Sequence, residues 1–422
     1  STPAPGALMT SIPPAAPATS LILARPTVDA PPSQAPTRPL IGTLPLPDVL
    51  SRPSAPIAGR PRLATAIVYC EANFGAADGK TANGLVRHSE KYDIVAVIDS
   101  DKAGLDSGFV LGDGPNAIPI VLDLEAGLAH ANRVPDYFIF GIAPSSGMRA
   151  VHERALVFKA ISLGMDIVSG LHEFLADDPE VAAASAANGV RIRDVRKPRA
   201  TKDLRVFSGR ISEVDCPRIA ILGTDCAIGK RTTATVLTQA LRDQGLKAVM
   251  IGTGQTGLMQ GARYGVALDA VPTQFCAGEL EATIIEAYEA EQPDVIIIEG
   301  QGALSHPAYS TSSFILRGSC PQAVVLQHAP GRAHRCDFPA MAMPEPRSEI
   351  ELIETFADTQ VIGLTINHEN MDEAQINAAI GQYERDLGLT TTDALTRSPA
   401  SLVDMVLSAF PELAGISSAA TR

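Results

Sequence analysis

RIAILGTDCAIGKRTT, residues 218–233, runs from an apolar stretch through a glycine-bounded loop into a helical pattern. The apolar part predicts a buried strand over Arg218–Leu222. The pattern after Gly229 predicts a helix over 230–244. Between them lie Gly223, Thr224, Asp225, Cys226, Ala227, Ile228 and Gly229. Strand, loop and helix in this order form the setting in which a loop holds phosphates. Backbone N–H groups turn inward, the helix N-terminus adds partial positive charge, and Lys230 supplies a full one. The loop departs from G-x4-G-K-[ST]: its first glycine lies one residue further out, and Arg231 stands where a magnesium-binding hydroxyl belongs. Thr232 or Thr233, displaced along the helix, can take that place. If a magnesium nucleotide is the ligand, Thr232 is the metal contact. Without it, the extra guanidinium suits a phosphate ligand with no obligatory metal.

Further strands are expected at Lys247–Ile251, Asp294–Ile298, Gln322–Leu326 and Val361–Ile366, with helices near 278–290, 348–357, 372–386 and 400–410. Ligands bind outside the carboxyl ends of strands in open α/β sheets, so the segments there carry the remaining candidates. Gly252–Gly257 offers close backbone approach, and Gln255 can read an amide or carboxylate. Asp269 is either a cap or a ligand contact. Glu299 ends an apolar run. A carboxylate drawn into such surroundings has a raised pKa and serves as a base near neutrality. His306 is the second base candidate, and Gln301, between them, a candidate substrate contact. Arg332 and Arg335 can hold a carboxylate bidentately.

Upstream, Leu63–Cys70, Asp93–Ile98, Tyr137–Gly141 and Asp166–Ser169 read as strands, with helices over Gly84–Tyr92 and about 149–163. This predicts a Rossmann-like parallel sheet over 61–184, ahead of a P-loop NTPase-like α/β domain over 216–422. Asp99 and Asp101 end the second strand, where a dinucleotide fold contacts a ribose. No G-x-G-x-x-G comes after the first strand, so the domain reads as one that shapes a substrate cleft. Pro144-Ser145-Ser146-Gly147 comes after the third. Residues 185–215 are basic and irregular, with Arg191, Arg193, Arg196, Lys197, Arg199, Lys202 and Arg205. They read as a solvated linker, or as arginines reaching an anionic ligand in the cleft. Residues 1–60, rich in Pro and Ala, read as a disordered tail. Its apolar piece Leu44–Leu50 is a possible docking segment for a partner.

The bulk numbers agree. The 422 residues suffice for two domains, and 45% hydrophobic content builds real cores. A net charge of −13 without a basic run argues against nucleic-acid binding, and the absence of Trp argues against base-stacking platforms. Apolar runs fall short of the ~20 residues that span a bilayer. Ser20–Ala24 is too short for a signal-peptide core. Six scattered cysteines without a CxxC pair suggest a reducing, cytoplasmic setting. A homo-oligomer is expected at this size.

GTDCAIGKRTT, then TGQTG, ALDAV, EGQGALSHPAYS and QHAPGRAHR, resembles the DUF1611 family over about 62–410. Its characterised branch comprises D-glutamate N-acetyltransferases. The loop is also similar to that of dethiobiotin synthetases, which share the displaced glycine. The resemblance implies transfer of an acetyl group from acetyl-CoA to the amino group of D-glutamate or a related amino acid. It places the phosphate loop on Gly223–Thr232, the glycine–glutamine turn on Gly254, Gln255 and Gly257, and the acidic strand end on Glu299. Two alternatives stay open. One is a kinase or ligase using Mg-ATP, with Lys230, Thr232 and Asp269 serving the phosphoryl group. The other is a non-catalytic nucleotide-responsive protein whose tail recruits a partner.

Overall fold

The computed structural model describes residues 63–420 apart from 77 and 143–150. The tail over 1–60 and the segment Pro144–Gly147 lie outside the described residues. Two parallel sheets succeed one another along the chain. The first comprises β1 (Ala64–Tyr69), α1 (Lys80–Arg87), β2 (Tyr92–Ile98), α2 (Ser107–Val110), β3 (Ile120–Val121), α3 (Leu124–Ala131), β4 (Tyr137–Phe140), α4 (Val151–Ser162), β5 (Asp166–Ser169), α5 (Pro179–Asn188) and β6 (Ile192–Asp194). The second begins with β7 (Arg218–Gly223), α6 (Lys230–Asp243), β8 (Ala248–Gly252), α7 (Gln255–Gln260), β9 (Tyr264–Gly265), α8 (Cys276–Glu291), β10 (Val295–Glu299) and α9 (Thr311–Ser319). It continues with β11 (Ala323–His328), a small antiparallel pair β12 (His334–Arg335) and β13 (Phe338–Ala342), α10 (Pro346–Phe356), β14 (Gln360–Ile366), α11 (Glu373–Leu387), β15 (Thr391–Thr392), α12 (Ala400–Ala409) and α13 (Glu412–Ala420).

The first sheet has the order β3-β2-β1-β4-β5-β6 with every pair parallel. This is the strand order of dinucleotide-binding sheets. Its ribose-position carboxylate is already committed. Asp99 is fully buried and accepts from the backbone N–H groups of Ala72 (3.2 Å), Phe74 (3.0 Å) and Asp101 (3.2 Å) and from Lys102 Nζ (3.1 Å). It shapes the loop after β1 instead of facing a ligand. Two expectations need correction. The helix expected over Gly84–Tyr92 both starts and ends earlier, spanning Lys80–Arg87. The stretch read as a linker contributes β6, whose Arg193 pairs with Val168 of β5. As an edge strand, β6 keeps polar side chains and lacks the apolar signature of a central one.

The second sheet, β15-β14-β11-β7-β10-β8-β9, is also wholly parallel. β7 lies in its middle with β10 on one side and β11 on the other. Alternation along β7 sends Ala220 and Leu222 into the layer under α8 and α9, and Ile219 and Ile221 into the layer under α6 and α12. Both faces are therefore covered, as a parallel sheet requires.

The two α/β domains form one compact unit, and the basic stretch helps to seal it. Arg196, nearly buried, holds Asp269 at 2.8 Å, and Arg205 holds Glu279 at 2.9 Å. Arg191 pairs with Asp166 at 2.7 Å and Lys197 with Asp177. These cations are matched by carboxylates of the protein. The helix α7 is buried along its whole length and packs on α1. Gln260 Nε2 donates to the carbonyls of Gly84 (2.6 Å) and His88 (2.8 Å), and the Thr81 and Thr256 hydroxyls share a bond of 2.9 Å. No helix among the described residues is long and apolar enough to cross a membrane.

Candidate active site at the phosphate loop

β7 delivers the chain into the loop at the carboxyl edge of the sheet. Thr224 N donates to Gln327 O at 3.0 Å, which ties the loop to the end of β11. Ala227 and Gly229 take positive φ, 50° and 105°. The second suits a glycine, and it lets α6 begin directly at Lys230. Ile228 packs inward and Cys226 is half-buried. Lys230 is buried and donates to Asp225 O. Burial without a carboxylate contact pushes its amine down to about 8. A buried ammonium turned onto a loop of backbone dipoles is an arrangement suited to an anion.

The outer wall of the loop is braced from the segments after β11 and β14 and from β12. Arg332 Nε and Nη2 hold Glu369, the latter at 2.9 Å, while Nη1 donates to Cys226 O (2.9 Å) and Nη2 to Ala227 O (2.9 Å). Asn367 Nδ2 donates to Ile228 O at 3.1 Å. Arg335 Nη1 donates to Thr224 O at 3.1 Å. Arg332, expected to hold a substrate carboxylate, is thus occupied as a clamp on the loop. Asn367 and Glu369 escape the sequence reading, although they come after an apolar strand run just as Glu299 ends one. The clamp needs a planar fork with several donors, which a lysine lacks. Arg332→Lys is therefore expected to lower stability by about 1–3 kcal/mol and to weaken phosphate-ligand binding about tenfold. Denaturant unfolding and ligand titration of the variant check both; unchanged values in each would show the clamp to be idle.

The two residues after Lys230 diverge. Arg231 turns away from the loop to Gln260 and the α1 backbone near Gly84, and burial pushes it down to about 10. Thr232 lines a groove beside α12, together with Arg231, Val236 and Leu395. Thr233 Oγ1 faces inward and donates to Gln327 Oε1 at 2.6 Å, next to Thr365 on the same acceptor.

β10 places Glu299 beside β7, opposite Ile221. Its Oε2 accepts from Thr253 N at 2.9 Å and Gly254 N at 3.4 Å. Burial raises its pKa, with Arg231 pulling it back. These two N–H groups of the glycine turn are committed to the carboxylate, so they do not serve as free oxyanion donors. A Cβ on Gly257 would run into this same carboxylate, which explains the glycine there. Gln301 Nε2 donates to Thr253 O, and Gln255, buried, lies 3.5 Å from Thr81 Oγ1. Asp269 is held by Arg196, with His172 at 3.8 Å.

His306 lies under the loop with its ring stacked on Tyr309, centroids 4.6 Å apart. Its Nδ1 accepts from Ala308 N at 3.2 Å. That leaves the proton on Nε2, which faces Asp225 Oδ1 at 3.7 Å, and neither of these two buried atoms has a hydrogen-bond partner. The ring therefore has no lone pair free for base work, and burial lowers its pKa further. Asp225, Cys226 and His306 offer ligand atoms within 4.8 Å of one another. The protonated Nε2 and the cations around Asp225 — Arg332 at 3.3 Å and Arg335 at 4.0 Å — fit a cation poorly.

Comparison with known proteins places this architecture. Residues 205–403 match the model of the C-terminal P-loop domain of DUF1611, and residues 100–198 that of its N-terminal Rossmann-like domain, both described as domains of unknown function. A protein of Pseudoalteromonas named D-glutamate N-acetyltransferase is 32% identical over 272 residues, covering 63% of this chain and 80% of that protein. One of the same name from Tritonibacter scottomollicae is 29% identical over 272 residues, covering 63% and 79%. The crystal structure of a DUF1611 family protein from Anabaena variabilis superposes with a TM-score of 0.76 at 34% identity, covering 82% of this chain and 99% of that one. With both domains matched in order and the two-domain fold shared, the chain belongs to the DUF1611 family.

Proposed function

We propose that this protein is an amino-acid N-acetyltransferase that takes its acetyl group from acetyl-CoA, with D-glutamate or a related amino acid as acceptor. The observation that carries the reading is the pairing, on adjacent strands, of a phosphate loop with a buried carboxylate. Lys230 and the loop backbone suit the pyrophosphate of coenzyme A. Arg231 in place of a hydroxyl removes the usual magnesium contact and disfavours Mg-ATP. The names of the relatives point to the same chemistry.

The step needs a neutral amine. Glu299 takes a proton from the acceptor's ammonium, and its raised pKa makes it the stronger base. The amine nitrogen attacks the thioester carbonyl carbon, the new C–N bond forms, and the C–S bond breaks. The thiolate of coenzyme A leaves and takes up the second proton, shed by the new amide nitrogen, while Glu299 releases the first to solvent. Lys230 holds the phosphates through the step without entering it.

The test is the unfolding midpoint of the full chain with acetyl-CoA and, separately, with Mg-ATP. A ligand present at ~100 times its dissociation constant adds about 2.7 kcal/mol. A rise with acetyl-CoA, and then thiol release on adding D-glutamate, supports the proposal. A rise with Mg-ATP alone overturns it in favour of a kinase or ligase.

A further inference from the structure

The first domain sends a cation of its own toward the phosphate loop. Gly79 closes the segment after β1, packed so tightly that a Cβ there would lie 2.1 Å from Asn73 O. α1 therefore starts, at Lys80, hard against the carboxyl end of the first sheet. Ala82 N donates to Gly141 O at 3.1 Å, just past β4. The same turn of α1 is fastened to the second domain. The Thr81 hydroxyl lies 2.9 Å from that of Thr256 and 3.5 Å from Gln255 Nε2. Gln255 comes directly after Gly254, whose N–H is bonded to Glu299. Gly300, next to Glu299, packs on the stem of Lys230: a Cβ there would lie 3.2 Å from Lys230 Cδ. Lys80 and Lys230 thus stand at the two ends of one short path of contacts, each at the carboxyl edge of its own sheet.

Lys80 differs from Arg87, at the far end of α1, which holds Asp113 at 2.6 Å. Among the described residues Lys80 has no hydrogen bond or ion pair, and it is exposed. Its charge nevertheless reaches the loop. Burial disfavours the ammonium of Lys230, and the charge of Lys80 adds to that. Burial pushes the Cys226 and Cys336 thiols up, and Lys80 pulls against it. Neither amine is bonded to a carboxylate, so the two like charges oppose each other until an anion enters between them. The backbone of Lys80 is pinned on three sides, while its four-carbon stem is free to swing onto a ligand.

We propose that Lys80 is the first domain's contact to the phosphates held by the loop, so that the ligand is gripped by one lysine from each domain. The ligand class is a polyphosphate anion, such as the pyrophosphate unit of a nucleotide or of coenzyme A. The inference rests on the phosphate-loop reading but not on acyl transfer.

Calorimetric titration of the full chain with inorganic pyrophosphate tests it. Lys80→Met is expected to weaken binding about 5- to 50-fold, Lys80→Glu more than that, and Lys80→Arg no more than about threefold. Because Lys80 is exposed and unpaired, the unfolding midpoint of the ligand-free Lys80→Met chain should not fall, which separates lost binding from lost fold. Unchanged pyrophosphate binding in Lys80→Met and Lys80→Glu overturns the proposal, and so does equal loss in all three variants. If Lys230→Met abolishes binding while the Lys80 variants leave it intact, the loop reading stands and the second grip falls. If the unaltered chain takes no pyrophosphate, both fall. A raised KM for D-glutamate with pyrophosphate binding unaltered would assign Lys80 to the acceptor's carboxylate and overturn the proposal equally.

Discussion

Lys230→Met is expected to lose affinity for the phosphate ligand about 10- to 100-fold and yet to yield a more stable ligand-free protein. The first effect comes from removing charge-assisted hydrogen bonds, each worth about 1.5–3 kcal/mol. The second comes from burial. The Lys230 amine falls from 10.5 to about 8 in the folded chain because desolvation penalises its charged form. That displacement corresponds to about 3 kcal/mol of lost stability wherever both folded and unfolded chains carry the proton, namely below pH 8. Between pH 8 and about 10.5 the unfolded chain holds the extra proton, so stability rises with pH and the penalty fades. The gain from methionine should therefore be largest at neutral pH and shrink toward pH 10. Ligand affinity of the unaltered chain should fall above pH 8, as the amine loses its charge. Denaturant unfolding from pH 6 to 10, with ligand titrations at the same points, reads all of this. A methionine variant no more stable at pH 7 than the parent would contradict the account of a charge held ready for an anion.

Glu299→Gln is expected to cut kcat about 10²- to 10⁴-fold while the dissociation constant for acetyl-CoA stays within about threefold. The amide keeps an oxygen for Thr253 N and Gly254 N, so the turn above it survives, but it takes no proton. Single-turnover kinetics with acetyl-CoA and D-glutamate separate the two constants. Should kcat stay within a factor of three, Glu299 would be an anchor for the glycine turn and nothing more.

Both predictions start from residues that pattern alone picks out, and the reason is local. β7, β8, β10, β11 and β14 are buried on both faces and announce themselves as apolar runs. The residues just past each run, at the carboxyl edge of a parallel sheet, are candidates by topology. The phosphate loop and Glu299 need no more than that. The roles of Arg332 and Asp269 cannot be read this way. Their partners Glu369 and Arg196 lie 37 and 73 residues away, and nothing in either neighbourhood tells a ligand contact from an internal ion pair. The helix over residues 255–260 escapes a pattern reading because QTGLMQ lacks an amphipathic face. It lacks one because it is enclosed on all sides. His306 looks like a base by residue type, and only the bond from Ala308 shows where its proton sits.

That enclosed helix also bears on how the chain can be divided. Met259 of α7 is completely buried within the hydrophobic core of the first domain, among side chains drawn from β1 to α5. The core of the Rossmann-like half is therefore completed by a side chain encoded beyond the phosphate loop. A recombinant fragment ending near residue 205 would leave that position open to water, along with the carbonyls of Gly84 and His88 that Gln260 satisfies. Domain boundaries drawn from sequence mark where the sheets change, not where the protein can be cut.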